Sequence, residues 1–308
     1  MHPSPLPPAR EWTPTGRAAK ARGSIPSASA RIVPARDPDV ILGVAMPTAN
    51  PLPKLDSINN FRELGGLPTE DGRQVRSRAL FRSGHWGHAS EADQEELARL
   101  GVRVVIDFRS AQDIEHDGSD RLPPGTELVL IPTGDPAAAD DTRTLIVEGS
   151  LETLREHFGD GRAEQYMIRG ASALVTERPD SYTRFFRRLA EPGCPPALFH
   201  CSAGKDRAGW AASSLLLALG VVREHVFDHY LLSNETFDAN RQNLGLPQAD
   251  PEVLELVRPL TKVRAEYLEA SIRTAEERWG SLDGYFHEGL GLSDEALEQL
   301  RTNWLEPA

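Results

Sequence analysis

His200-Cys201-Ser202-Ala203-Gly204-Lys205-Asp206-Arg207-Ala208-Gly209 sets an arginine six positions after a cysteine, with a glycine between them. Pro196-Ala197-Leu198-Phe199 before it is a short apolar run of the kind that forms a buried strand. Trp210 to Leu219 after it is apolar, rich in helix formers and closed by Gly220. Strand, tight loop and helix therefore follow one another. The amide groups of such a loop converge at a helix N-terminus, where the partial positive charge of the helix lies. A phosphate-sized anion fits there. A thiol of ordinary pKa, about 8.5, falls to roughly 3.5 to 7.5 in such surroundings, so Cys201 is expected to be a thiolate near neutral pH. Arg207 offers a planar fork for two oxygens of a phosphoryl group. Thiolate attack would give a phosphocysteine that water then hydrolyses.

The loop resembles the signature of the cysteine-dependent protein tyrosine phosphatase superfamily, and Ala203-Gly204-Lys205-Asp206-Arg207 resembles the bacterial tyrosine-protein phosphatases that also act on serine/threonine and phosphoinositide phosphates. The resemblance extends to Asn60-Phe61-Arg62-Glu63-Leu64-Gly65-Gly66, Leu80-Phe81-Arg82-Ser83-Gly84 and Val105-Ile106-Asp107-Phe108-Arg109-Ser110, and so spans roughly residues 56 to 308. It implies an α/β fold with a central, mostly parallel sheet flanked by helices, a helical lid insertion and a helical C-terminal region. Cys201 is then the nucleophile and Arg207 the phosphate ligand, with Ser202, Ala203, Gly204, Lys205 and Ala208 around the substrate.

The proton for the leaving group has two candidate donors. The resemblance places the general acid inside the loop, at Asp206. Asp107, near the carboxyl end of a strand, is either an acid/base group or an orienter of Arg207 and Arg109. Lys205 suits multiply phosphorylated substrates such as phosphoinositides in relatives of this kind. One position departs from the family pattern. A Thr or Ser usually follows the arginine and hydrogen-bonds the departing thiolate; here it is Ala208, and Ser202 or a backbone amide is the alternative donor.

Residues 1 to 50, rich in Pro, Ala, Ser and Arg, show neither helical nor strand period and are expected to be disordered. The phosphatase domain is expected over 51 to 308. Asp71-Gly72 signals a hairpin between Gly66-Leu67 and Gln74-Val75. Ile58 to Glu63 reads as an edge strand, Leu80 to Ser83 and Val102 to Phe108 as sheet strands, and Leu128 to Pro132 as another. Ser90 caps a helix ended by Gly101, and Ala111 to His116 forms a helical turn. Residues 134 to 179 change character, with helices over 151 to 158 and 163 to 175. In the family this stretch resembles a lid; ordinary scaffold helices are the alternative. Helices over 181 to 189, 223 to 233, from Pro251 onward, up to Gly280, and after Ser293 complete the chain.

The formal charge is −12 over 308 residues. Residues 1 to 36 hold six Lys/Arg against one Asp/Glu, a net of +5, which leaves −17 for the remainder. So acidic a body argues against nucleic acid and anionic membrane as general partners. The expected partner is a phosphorylated protein or a phosphoinositide, with no cofactor. Two cysteines, Cys194 and Cys201, rule out a disulfide framework and fit a reducing, cytoplasmic setting, secretion without a signal peptide remaining open. Cys194 is a loop filler or a redox partner of Cys201. No histidine pair has metal-ligand spacing, and no apolar run is long enough to cross a bilayer. Two rival readings use the same loop: a non-catalytic phosphate-binding module, and a thiol-based arsenate reductase or sulfurtransferase.

Overall fold

Three parallel, largely apolar strands form the centre of the fold. The structure, a computed structural model, describes residues 52–134, 142, 145, 146, 148–236 and 250–308. The extension expected over residues 1 to 50 lies outside them. The strands are β1 (Arg62–Glu63), β2 (Arg73–Val75), β3 (Leu80–Ser83), β4 (Val104–Asp107), β5 (Glu127–Leu130), β6 (Ala197–His200) and β7 (Leu305–Pro307). Five of them make one sheet in the order β1-β3-β6-β4-β5, in which β3, β6, β4 and β5 run parallel and β1 pairs antiparallel with β3.

Every residue of β3, β4 and β6 is buried, as expected for parallel strands covered on both faces. The period of two decides which face each residue serves. Leu80, Val104, Ile106, Ala197 and Phe199 enter the main core, whereas Phe81, Val105 and Leu198 enter a second cluster with Trp86, Leu97 and Val102. Burying each such side chain contributes about 1.5–3 kcal/mol. A slip of one residue would exchange the two faces, so the register is strongly specified.

The helices are α1 (Glu91–Arg99), α2 (Ala111–Asp117), α3 (Leu151–Phe158), α4 (Arg162–Glu177), α5 (Pro179–Leu189), α6 (Arg207–Ala218), α7 (Arg223–Leu231), α8 (Pro251–Thr261), α9 (Ala265–Trp279) and α10 (Asp294–Trp304). Their starts follow the capping residues: the Ser90, Ser110, Ser150 and Ser293 hydroxyls and the Asp250 carboxylate each accept a backbone N–H of the first turn. Phe185, Phe186 and Leu189 of α5 and Ala211, Leu215 and Leu216 of α6 fill the main core. Helix α3 and the first half of α4 pack with α8 and Tyr267 in a separate cluster around Leu154, Phe158, Met167 and Leu260, while Leu174 and Val175 of α4 reach the main core.

One expectation shifts and one gains a partner. The strand expected over Ile58–Glu63 shortens to β1, because Asn60 takes φ 59, outside any strand geometry. The Asp71-Gly72 hairpin forms, with Gly66 N on Val75 O at 2.8 Å and Val75 N on Leu67 O at 2.9 Å. Its second arm, β2, also pairs with β7 at the other end of the chain. No helix among the described residues is long and apolar enough to cross a membrane.

Candidate active site

Strand β6 lies between β3 and β4, and the chain leaves its carboxyl end at Cys201, the edge at which open α/β sheets place ligands. The loop Cys201–Asp206 then turns into α6, whose first residue is Arg207. Gly204 has φ +72, and a Cβ added there would stand 2.3 Å from Ser83 O. Only glycine lets the loop come this close to the end of β3. Among the described residues, none of the amides of Ser202, Ala203, Gly204, Lys205 and Asp206 finds a protein acceptor. Cys201, 2% exposed, lies at the foot of this row of donors.

Arg207 is also buried. Its Nη1 donates to Asp113 Oδ2 at 2.7 Å and to Thr133 O at 3.2 Å. The same Asp113 oxygen accepts Ser110 N and Ser110 Oγ, both at 2.8 Å. Burial alone would raise the Asp113 pKa, but the Arg207 charge and these hydrogen bonds outweigh it and hold the carboxyl down at about 2. Asp113 read in the sequence as part of a helical turn; its signal was the capping box Ser110-x-x-Asp113 directly after a strand.

Asp107 contacts Arg109 and not Arg207. Its Oδ1 accepts the Arg109 amide at 2.8 Å, a local turn that ties the carboxylate to its own strand end, and Arg109 Nε reaches both oxygens at 3.1 Å. Arg109 Nη2 continues to Asp120 Oδ1 at 2.8 Å, and Asp120 Oδ2 meets His200 Nε2 at 2.9 Å. Burial would lower the His200 pKa, but Asp107 and Asp120 raise it above the usual imidazole range. Asp107, Asp120 and His200 bring ligand atoms within 4.8 Å of one another, a grouping that sequence spacing did not reveal. Arg109 already bridges the two carboxylates, so the set reads as a charge-compensated network behind the loop.

Asp206 precedes α6 without capping it. Its Oδ2 meets Lys205 Nζ at 2.6 Å. Burial first, and the Asp206 charge second, raise the Tyr230 pKa; burial also raises that of Tyr267, which belongs to the α3–α4–α8 cluster. Ser202 Oγ donates to Asp113 Oδ1 at 3.3 Å. Ala208 is fully buried in the first turn of α6. Arg82, wholly buried, meets the outer side of the loop at Gly204 O.

Cys194 does not face Cys201. The first precedes β6 and the second follows it, so the four strand residues hold them roughly 13 Å or more apart at about 3.3 Å per residue. A disulfide needs Cα atoms closer than about 7 Å, and the redox-partner reading is corrected. Arg188 Nη1 donates to Cys194 Sγ at 3.3 Å.

The model of the tyrosine phosphatase family matches residues 53–306. The chain belongs to the tyrosine phosphatase family. Among its relatives, a Cupriavidus necator protein whose name places it among the tyrosine-protein phosphatases is 34% identical over 257 residues, 81% of this chain and 87% of that one. The triple specificity protein phosphatase PtpB of Mycobacterium tuberculosis is 30% identical over 270 residues, 79% of this chain and 95% of its own length. A tyrosine-protein phosphatase of Nostoc commune is 27% identical over 237 residues, 74% of each chain. The matched span takes in the loop, the Arg109 network and the candidate lid.

Proposed function

We propose that the protein hydrolyses phosphomonoesters through a phosphocysteine intermediate. The observation that carries this reading is the juxtaposition of Cys201, a row of amides without protein acceptors and an arginine fixed by Asp113 at one helix N-terminus. The Cys201 sulfur attacks phosphorus and the ester oxygen departs. Arg207 and the loop amides hold the non-bridging oxygens as charge builds on them. Asp206 delivers the proton to the departing oxygen; with phosphate bound, Lys205 Nζ turns to a phosphate oxygen and releases the carboxyl for this task. In the second step the Asp206 carboxylate takes a proton from water, which attacks the phosphocysteine and returns the thiolate.

Phosphotyrosine is the first substrate class to expect. The triple specificity in the PtpB name extends the proposal to phosphoserine/threonine and phosphoinositides, for which Lys205 supplies a second positive charge. Helices α3 and α4 serve as the lid in this reading. A cytoplasmic location belongs to the same proposal.

The test is phosphate release from phosphotyrosine, phosphoserine and phosphoinositide substrates in EDTA, by the wild type and by Cys201→Ser. Wild-type turnover that Cys201→Ser abolishes while phosphate binding persists supports the reading; undiminished turnover by that variant overturns it.

A further inference from the structure

A peptide loop presents its amides to an anion only if its carbonyls are turned away from it. In a planar trans peptide the C=O of one residue and the N–H of the next point in opposite directions. Here each carbonyl from Cys201 to Asp206 meets a donor. Cys201 O faces His200 Nδ1 at 3.2 Å, Ser202 O accepts His85 N at 3.0 Å and Asp206 O accepts Trp210 N at 2.8 Å. The middle three are taken by two side chains from the N-terminal strand pair. Asn60 Nδ2 donates to Ala203 O at 3.2 Å, and Arg82 Nη2 donates to Gly204 O at 2.5 Å and to Lys205 O at 3.4 Å.

Both side chains are held for this purpose. Asn60 sits in the left-handed region at φ 59. The Arg62 guanidinium donates to Asn60 Oδ1, which leaves the Asn60 amide nitrogen directed at the loop; Arg62 Nη2 is itself anchored on Ser233 Oγ at 2.9 Å and His229 O at 3.1 Å. Arg82 is 0% exposed, level in the sheet with Phe199 and Ile106. Among the described residues its Nε and Nη1 have no hydrogen-bond partner, and no carboxylate lies within ion-pair distance. A buried guanidinium without a counter-charge is costly. Its position beneath the loop gives that charge something to act on.

We propose that Asn60 and Arg82 are positioning residues of the cradle, which turn the amides of Gly204, Lys205 and Asp206 toward a bound oxyanion while Arg82 adds a fixed positive charge beneath it. The proposal rests on the reading of Cys201–Arg207 as the phosphoester site and gives the Asn60-Phe61-Arg62 and Leu80-Phe81-Arg82 motifs their task. It agrees with the electrostatics of Arg82. Burial lowers its pKa to about 10, and the charges of Cys201 and Asp206 work in the opposite direction.

The experiment uses the full chain carrying Cys201→Ser and titrates it with tungstate, a tetrahedral oxyanion, by calorimetry. This reads the cradle without turnover. Adding Asn60→Ala is expected to weaken tungstate roughly fivefold to tenfold, the size of one net hydrogen bond, with an unfolding midpoint close to the parent's. Arg82→Met is expected to weaken it about a hundredfold, and Arg82→Lys, which keeps the charge but not the fork, about tenfold. Folded Asn60→Ala and Arg82→Lys proteins that bind tungstate within twofold of the parent overturn the proposal, whatever becomes of Arg82→Met. A parent that binds no tungstate overturns the anion-site reading and this proposal together. Weakened binding in the variants beside an inactive wild type overturns only the hydrolytic reading and supports this one.

Discussion

Asp113 Oδ2 stands 2.7 Å from Arg207 Nη1 while accepting the Ser110 amide at 2.8 Å. One oxygen therefore closes the N-terminal cap of α2 and fixes the guanidinium proposed as the phosphate ligand. The crossover after β4 and the helix after β6 are joined at this point.

Asp113→Asn keeps the shape and removes the charge. A charge-assisted hydrogen bond contributes about 1.5–3 kcal/mol, so kcat/KM for an aryl phosphate is expected to fall roughly 10- to 100-fold. The pH dependence has a definite sign. The folded-state pKa is depressed to about 2, so the stabilisation is fully present above the ordinary Asp value near 3.9 and is lost as pH falls toward 2. Thermal unfolding from pH 5 down to pH 2.5 should show a steeper fall for the wild type than for Asp113→Asn; parallel curves would contradict the assignment.

Asp206 and Asp107 separate by substrate. Asp107 is 1% exposed and tied to Arg109, so it has no path to a leaving group. Asp206→Asn should lower kcat by roughly 10²- to 10⁴-fold for an alkyl phosphate, whose leaving group needs the proton. It should cost much less for p-nitrophenyl phosphate, whose leaving group departs unprotonated. Asp107→Asn should lower the unfolding temperature and affect both substrates alike. A substrate-dependent loss in Asp107→Asn would reverse the roles.

His200 gives a pH effect of opposite sign to that of Asp113. Its folded-state pKa is raised by Asp107 and Asp120 against burial. The stabilisation is therefore fully present below the ordinary histidine value near 6.5 and is lost as pH rises through the folded-state value. The unfolding temperature of the wild type should decline on the alkaline side of that window, and His200→Gln should flatten the decline. An unchanged slope in the variant would mean that the ring stays neutral in the fold.

The sheet, the loop and most helix starts were legible because each rests on local chemistry: a β-branched run in Val104–Ile106, a glycine between Cys201 and Arg207, serines before amphipathic runs. What could not be read joins distant segments. The β2–β7 ladder pairs Arg73 with Pro307, and a three-residue strand at a chain end carries no pattern of its own. Asp107 does orient Arg109, one half of its expected role, and Asp113, six residues later in the chain, takes Arg207. Asp120 lies in an irregular stretch with no period to mark it. Asn60 stood within a motif whose task becomes visible only when the loop's outward carbonyls are seen.

The most direct test of the central claim is to mix the protein with phosphotyrosyl substrate labelled on phosphorus, quench in acid within one turnover, and locate the label by peptide mass analysis. Label on the peptide containing Cys201, absent from Cys201→Ser, is the predicted result. Turnover that leaves Cys201 unlabelled at every quench time, and that Cys201→Ser retains, would contradict it.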